Sequence, residues 1–349
     1  LEVGTPITFL GIDIIKMQNG DLELYQERFT DSLLSKHGME NGTSIRSVQM
    51  GPIPTEPDVP SLTVLRQLQG YSGEFNWLAT RTRPDISYYT SVLASACSKF
   101  AAWSLELAKK ILRFLKGTKS KGLIITGSGD EGQLDVWTDA GYAGTNTHSQ
   151  SGLVVTWAGS IVVWRSSRQS VSALSTAEAE LYSATLGWQI VEGLRQLITN
   201  YGVRIARLRV FIDNQAALTI AKCGANWRTR YFAVRGHRLH EEHARGAIEL
   251  LHCPTAGMVA DALTKLAAAP VVELLHNAME GILPAHSSDK TSTITDENKV
   301  SDIVCAALPD EEGDTVIGFI CSTRCNEFTE ESMSTHDPSG SILAVHSVV

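Results

Sequence analysis

"QLDVWTDAGYAG", residues 133–144, sets the apolar residues Leu134, Val136 and Trp137 directly before Thr138, Asp139 and a turn of small residues. Bulky and β-branched residues of this kind suit a strand in a sheet core. A carboxylate on such a strand is costly unless something neutralises it. The reading of Asp139 therefore decides what the surrounding fold is for.

The same grammar recurs downstream. "LRVFIDNQAAL", residues 208–218, reads as a strand ending at Asp213 and running into a short helix. Two strands that each end in Asp can both be central, with their C-terminal ends side by side. "STAEAELYSATLGWQIVEGLRQLITNYG", residues 175–202, reads as a long helix capped by Ser175 or Thr176, with Glu178 placed as in a capping box and Glu180 one turn in. "MVADALTKLA", residues 258–267, reads as a closing helix opened by Asp261.

Taken singly, each acid has a plain alternative: Asp139 as a turn former, Asp213 and Asp261 as helix caps. Glu178 and Glu180 face apart on a helix, so one of them is a cap or surface residue. Taken together, the order strand-Asp, helix-Glu, strand-Asp, helix-Asp gathers carboxylates at one sheet edge. Such a cluster repels itself and raises its own pKa values. Divalent cations relieve that repulsion, and Mg²⁺ favours oxygen ligands. Two such ions about 4 Å apart support phosphodiester hydrolysis.

The chain has 349 residues and 43% hydrophobic content, enough for more than one domain with a real core. It begins at Leu1 rather than Met and is expected to be a fragment or a processed piece. Its first residues lack a signal-peptide pattern, and no apolar run is long enough for a membrane span. A location inside the cell, cytoplasmic or nuclear, is therefore expected. The net charge of −8 is unevenly spread. Residues 286–349 hold 12 of the 38 acids and 3 of the 30 bases, leaving 26 and 27 for the first 285 residues. The body is near neutral, so its partners are not indicated by the acidic total. The six cysteines show no CxxC pairing, as expected of reduced thiols.

Residues 7–35 read as two strands joined by an "NGD" turn and followed by a helix ending at Gly38. Residues 44–62 carry Pro52, Pro54, Pro57 and Pro60 and read as a linker. Residues 63–120 read as helical, with Asp85 a cap after Pro84. The last of these helices interleaves Lys109, Lys110, Arg113 and Lys116 with apolar residues. A solvated face and a rail for phosphates are both readings of it. From 121 the pattern becomes βββαβαβα, with a hairpin about Ala158–Gly159, implying an α/β domain with a mixed sheet. The acidic tail, 284–349, is expected to be mostly disordered.

"WTDAGYAG", "SGLVVTWAG", "VVWRSSRQ", "ALSTAEAELYSA", "FIDNQAAL", "RTR" at 228–230 and "VADALTK" together resemble the ribonuclease H domain of copia-type retrotransposon Pol polyproteins, in that family's order. "FLGIDI", "GDLELYQERFTDSLLSKHGM", "TRPDISYYTSVLA" and "AKKILRFLKGT" resemble the end of the same polyprotein's reverse transcriptase and its connection segment. The resemblance spans about residues 7–267. It implies a partial reverse transcriptase over 1–43, a linker over 44–62, a helical connection over 63–120, and a ribonuclease H-like domain with a five-stranded mixed sheet over 121–283. The polymerase's Tyr-x-Asp-Asp pair is absent, and the chain contains no Asp-Asp at all, so DNA synthesis is not expected of it.

The resemblance further implies a Mg²⁺-dependent endoribonuclease acting on an RNA–DNA hybrid by two-metal hydrolysis of the RNA strand, with Mn²⁺ as an alternative ion. It assigns the metal-binding and catalytic roles to Asp139, Glu180, Asp213 and Asp261. Glu180 is preferred over Glu178 because the family's Glu precedes a bulky apolar residue and then small ones, as in "ELYSA". Gln169, Ser172, Asn214, Gln215 and Arg228 are the implied hybrid contacts, and the helix with Lys109, Lys110, Arg113 and Lys116 is the implied phosphate track. The rest of a Pol polyprotein is the implied partner. The chain departs from the family's usual pattern at Gly141, where an Asp is usual, and at Asn226, Tyr231 and Ala233 in "NWRTRYFA". His237 and His240 are candidates for the lost proton-relaying His. The rival expectation is an inactive remnant or a domesticated nucleic-acid-binding module.

Overall fold

The computed structural model describes residues 1–127, 129–143, 148–224, 233–284, 321–325 and 342–346. Strands β1 (Ile7–Phe9), β2 (Ile12–Lys16) and β3 (Leu22–Tyr25) form an antiparallel meander, and helix α1 (Glu27–Lys36) follows. Helices α2 (Leu62–Ala79), α3 (Ser87–Ala96) and α4 (Ala101–Gly117) come next. Strand β4 (Leu123–Ile125) then returns to pair with β3, closing a four-stranded sheet.

A second sheet has five strands: β5 (Gln133–Gly141), β6 (Gln150–Trp157), β7 (Ser160–Arg168), β8 (Arg207–Ile212) and β9 (Glu249–His252). Its order is β7-β6-β5-β8-β9. The first three strands pair antiparallel, and β8 and β9 add in parallel. This is the mixed five-stranded sheet expected of a ribonuclease H-like domain. The hairpin between β6 and β7 turns through Ala158 and Gly159, both with positive φ (50° and 84°), the geometry whose twist suits a two-residue connection.

Helices α5 (Thr176–Asn200), α6 (Gln215–Cys223) and α7 (Ala233–Ala244) follow in the chain order expected. Leu134 and Val136 of β5 share a core with Leu181, Ala184 and Val191 of α5 on one face of the sheet. The other face is covered differently. Trp137, Val154, Trp164 and Phe211 join one core with Leu78, Leu93, Ile111 and Leu275. Trp164 Nε1 donates to the Ala79 carbonyl at 2.6 Å. The helical connection thus serves as the second layer of the five-stranded sheet.

The structure bears on three expectations here. The chain entering the stretch read as a linker crosses α4, and its carbonyls are the acceptors for that helix's bases: Lys110 donates to Gln49 O (2.7 Å) within that stretch, and Arg113 and Lys116 donate to Thr43 O (2.8 Å) and Gly42 O (2.7 Å) just before it. An irregular segment leaves carbonyls without ladder partners, and these cations satisfy them. Asp85 makes no cap. It is buried in an ion pair with Arg83 (2.8 Å) and contacts His276 (2.8 Å). The closing helix is instead a 3-10 turn over Val259–Leu263, followed by helix α8 (Ala269–Met279), which the sequence did not announce. Most of the acidic tail lies outside the described residues. Within it, β10 (Cys321–Cys325) and β11 (Ile342–His346) pair antiparallel.

Candidate active site

Strand register brings the first two acids together. The last parallel pair of β5 and β8 is Thr138 with Ile212, so Asp139 and Asp213 are the next residue on each strand. Asp135, Trp137 and Asp139 share a face of β5. Asp135 is neutralised by Arg209 of β8 at 2.7 Å. Asp139, four residues on and 6% exposed, takes its hydrogen bond from the neutral hydroxyl of Thr264. One carboxylate on this face is half of an ion pair. The other is charged without a bonded cation, or protonated.

Helix α5 contributes the third acid, and its cap decides which. Ser175 Oγ accepts from Glu178 N at 3.2 Å, and Glu178 Oε2 accepts from Leu174 N at 2.8 Å. Glu178 thus closes the cap, reaching one residue further back than in a standard capping box. Glu180 points at the sheet edge, where Oε1 accepts from Ala140 N at 3.3 Å. At the start of α6, Asn214 Oδ1 accepts from Ala217 N at 3.0 Å. Asn214 is therefore the cap, and Asp213 is left to accept from Thr255 Oγ1 at 3.1 Å.

Asp139, Glu180 and Asp213 each offer one carboxylate oxygen within 4.8 Å of the others. Asp261 lies outside that trio. It is 3% exposed in the 3-10 turn, lines the same recess, and is paired with Lys265 one turn on. Burial pushes the Asp139 carboxyl up to about 7, with repulsion from Asp261 and Asp213 adding to it. Burial pushes Glu180 up to about 10, again aided by Asp139 and Asp213. Burial and Asp261 raise Asp213 as well.

The trio suits a hard divalent cation. Its donors are all oxygens, as Mg²⁺ requires. Glu180 Oε2 is buried with no hydrogen-bond partner among the described residues. A buried acceptor without a donor is costly, and a cation at the meeting point of the three carboxylates removes that cost.

The acids sit in a recess of about 990 Å³. Part of its lining comes from the connection and the segment before it, through Ile53, Tyr88 and Val92. The recess also holds Arg168, His148, Thr255, Thr264 and Lys265, which the sequence reading passed over. Thr264 and Lys265 follow Asp261 by three and four positions within one quoted motif, which was the available signal.

The proposed nucleic-acid contacts are scattered. Asn214 lines the recess, and Ser172 and Gln215 are exposed. Gln169 is instead buried, its amide donating to Ser151 Oγ (3.0 Å) and Ala179 O (2.9 Å), so it braces β6 against α5. Arg228 lies outside the described residues. Lys110, Arg113 and Lys116 hold the crossing segment, and Lys109 is exposed. His237 contacts Glu241 at 3.2 Å and His240 contacts Lys222 O at 2.9 Å, and neither lines the recess. No helix among the described residues is long and apolar enough to cross a membrane.

No protein-family model matches the chain. It is 27% identical over 276 residues to the retrovirus-related Pol polyprotein from transposon TNT 1-94 of Nicotiana tabacum, covering 76% of this chain and 21% of that one. It is 29% identical over 263 residues to that from transposon RE1 of Arabidopsis thaliana, covering 74% and 18%. A putative transposon Ty5-1 protein of Saccharomyces cerevisiae is 29% identical over 188 residues, covering 53% and 61%. The chain spans about a fifth of the length of the two plant polyproteins. Among solved structures, the N-terminal RNase H domain of rv2228c from Mycobacterium tuberculosis aligns with a TM-score of 0.28 at 14% identity, covering 42% of this chain and 98% of that one. LC11-RNase H1, isolated from compost, aligns with a TM-score of 0.31 at 16% identity, covering 38% and 93%. Over about three quarters of its length, the chain is similar to the retrovirus-related Pol polyproteins of copia-type transposons.

Proposed function

We propose that this chain carries a divalent-cation-dependent ribonuclease that cuts the RNA strand of an RNA–DNA hybrid as part of a Pol polyprotein. The observation that carries this reading is the convergence of Asp139, Glu180 and Asp213, with Glu180 Oε2 buried and without a partner. The resemblance to Pol polyproteins supports it. Asp139, Glu180 and Asp213 would hold Mg²⁺, with Asp261 beside them. Cations bound there would supply Lewis-acid stabilisation of the phosphate oxygens and a nucleophile from water at neutral pH.

The chain's own residues set the rest. Thr264 and the Ala140 N–H orient Asp139 and Glu180 through one oxygen each, leaving the other oxygen of each carboxylate. Lys265, paired with Asp261, puts a positive charge beside the site, where it offsets some of the carboxylate repulsion felt by a phosphate. Telling RNA from DNA requires contact with 2′-hydroxyl groups. Asn214 at the recess, and Ser172 and Gln215 on the surface, are the side chains we assign to that contact. Ile53, Tyr88 and Val92 give the recess an apolar part of its lining.

A substrate panel tests the reading. With Mg²⁺, the expected result is cleavage of end-labelled RNA in an RNA–DNA hybrid, and little cleavage of double-stranded DNA, double-stranded RNA or free RNA. Hybrid binding without cleavage contradicts it and leaves a hybrid-binding module. Cleavage of the DNA strand contradicts the assigned specificity.

A further inference from the structure

Two glycines on neighbouring strands face the 3-10 turn that carries Asp261. Gly152 of β6 lies directly opposite Asp139 in the antiparallel ladder, and Gly141 ends β5. A Cβ at Gly152 would lie 2.6 Å from Thr264 Cγ2, 2.9 Å from Ala260 O and 3.0 Å from Leu263 Cβ. A Cβ at Gly141 would strike the Thr264 carbonyl oxygen. Neither glycine has a positive φ, so what each supplies is clearance. Ser166 Oγ, donating to Leu263 O at 2.6 Å, fastens the same turn from β7.

The turn seated in this slot ends in Thr264, which is 3% exposed. Its hydroxyl reaches Asp139 Oδ2 and also lies 3.1 Å from Asp261 O. A hydroxyl has one proton to donate, and a carboxylate is a stronger acceptor than an amide carbonyl. The proton therefore goes to Asp139. With Oδ2 held, Asp139 cannot rotate freely beside Glu180 and Asp213.

We propose that Thr264 is a positioning residue that locks Asp139 in its cation-binding orientation, and that Gly141 and Gly152 form the slot that seats it. The inference rests on the ribonuclease reading only in taking Asp139 as a cation ligand. It also gives Gly141 a purpose at the position where the chain departs from the usual Asp. A side chain there would lift the Asp261–Thr264 turn off the strand.

Calorimetric titration of Mg²⁺ into the metal-free chain tests this without reference to turnover. Thr264→Val removes the hydroxyl at nearly constant shape and is expected to weaken Mg²⁺ binding ~10–100-fold, the usual effect of losing a partner that orients a ligand. Thr264→Ser restores the donor and is expected to bind within about threefold of the parent. Gly141→Ala is expected to weaken binding by at least ~10-fold while far-ultraviolet circular dichroism stays unchanged. If Thr264→Val fails to fold, Gly141→Ala and Thr264→Ser decide, since a serine that binds no better than ~10-fold below the parent overturns the hydroxyl's role. Parental Mg²⁺ affinity in Thr264→Val overturns the positioning role alone. Absence of Mg²⁺ binding by the parent overturns both this inference and the ribonuclease reading.

Discussion

The Ala140 N–H donates to Glu180 Oε1 at 3.3 Å, while Glu180 Oε2 is buried without a partner among the described residues. One oxygen of this carboxylate is anchored to the strand and the other is offered to the site. Glu180→Gln keeps the shape and removes the ionisable group. Losing a partner of a ligand costs ~10–100-fold in metal affinity, so losing the ligand itself is expected to cost at least ~100-fold in Mg²⁺ affinity and in Mg²⁺-dependent cleavage. The metal-free variant is expected to melt a few degrees higher than the parent at pH 7, because a strongly raised acid destabilises the folded state there. A lower melting temperature would contradict that assignment.

Asp139 and Glu180, raised by burial to about 7 and about 10, hold protons more tightly folded than unfolded. In chelator, the unfolding free energy should therefore fall as pH rises from about 4, the unfolded carboxyl value, through 7 and beyond. Cation binding needs the carboxylates ionised, so Mg²⁺ affinity should climb over the same range. Melting curves at pH 5.5 and 8, with chelator and with Mg²⁺, measure both trends. The chelator trend should flatten in Asp139→Asn. A metal-free protein more stable at pH 8 than at pH 5.5 would contradict the assignment.

Arg83, Asp85 and His276 join the connection to α8. Arg83 also donates to Thr118 O at 2.9 Å, at the end of α4. Burial alone would raise the Asp85 carboxyl, but Arg83 and His276 outweigh it and hold it well below the usual range. Both members of the Arg83–Asp85 pair are almost fully buried. Asp85→Asn leaves a buried guanidinium without its counter-charge, so urea unfolding should report a loss of about 3–5 kcal/mol. A loss below ~1 kcal/mol, typical of exposed pairs, would contradict a structural role for the buried Arg83–Asp85 pair.

The bases of α4 distinguish a brace from a phosphate rail. Each lysine or arginine that neutralises a phosphate adds about one unit to the salt slope of binding. Lys116 donates to the Gly42 carbonyl, so Lys116→Met is expected to leave the slope for hybrid binding unchanged and to cost about 1 kcal/mol of stability. A slope reduced by about one unit would restore the rail.

Much of this architecture could be read from local signals. Asp139 and Asp213 are visible because each ends an apolar strand, and parallel pairing of those strands then aligns them. Glu178 and Glu180 separate once Ser175 is recognised as the cap, since only one of two acids on opposite helix faces can reach it. What was not legible in the sequence shares a physical cause. The acceptors for Lys110, Arg113 and Lys116 are backbone carbonyls 61 to 74 positions away, and a carbonyl has no letter in a sequence. Gln169 looks polar and accessible, yet its amide is buried against Ser151 and Ala179. Gly141 and Gly152 look like loose backbone, and their use depends on a turn more than 100 residues downstream.

Cleavage of a hybrid with 5′-labelled RNA by the parent and by Asp139→Asn, each with Mg²⁺ and with chelator, tests the account most directly. The account predicts RNA fragments from the parent with Mg²⁺ alone, and at least ~100-fold less from Asp139→Asn. Equal cleavage by parent and variant, or no cleavage by a parent that binds both Mg²⁺ and hybrid, would contradict it.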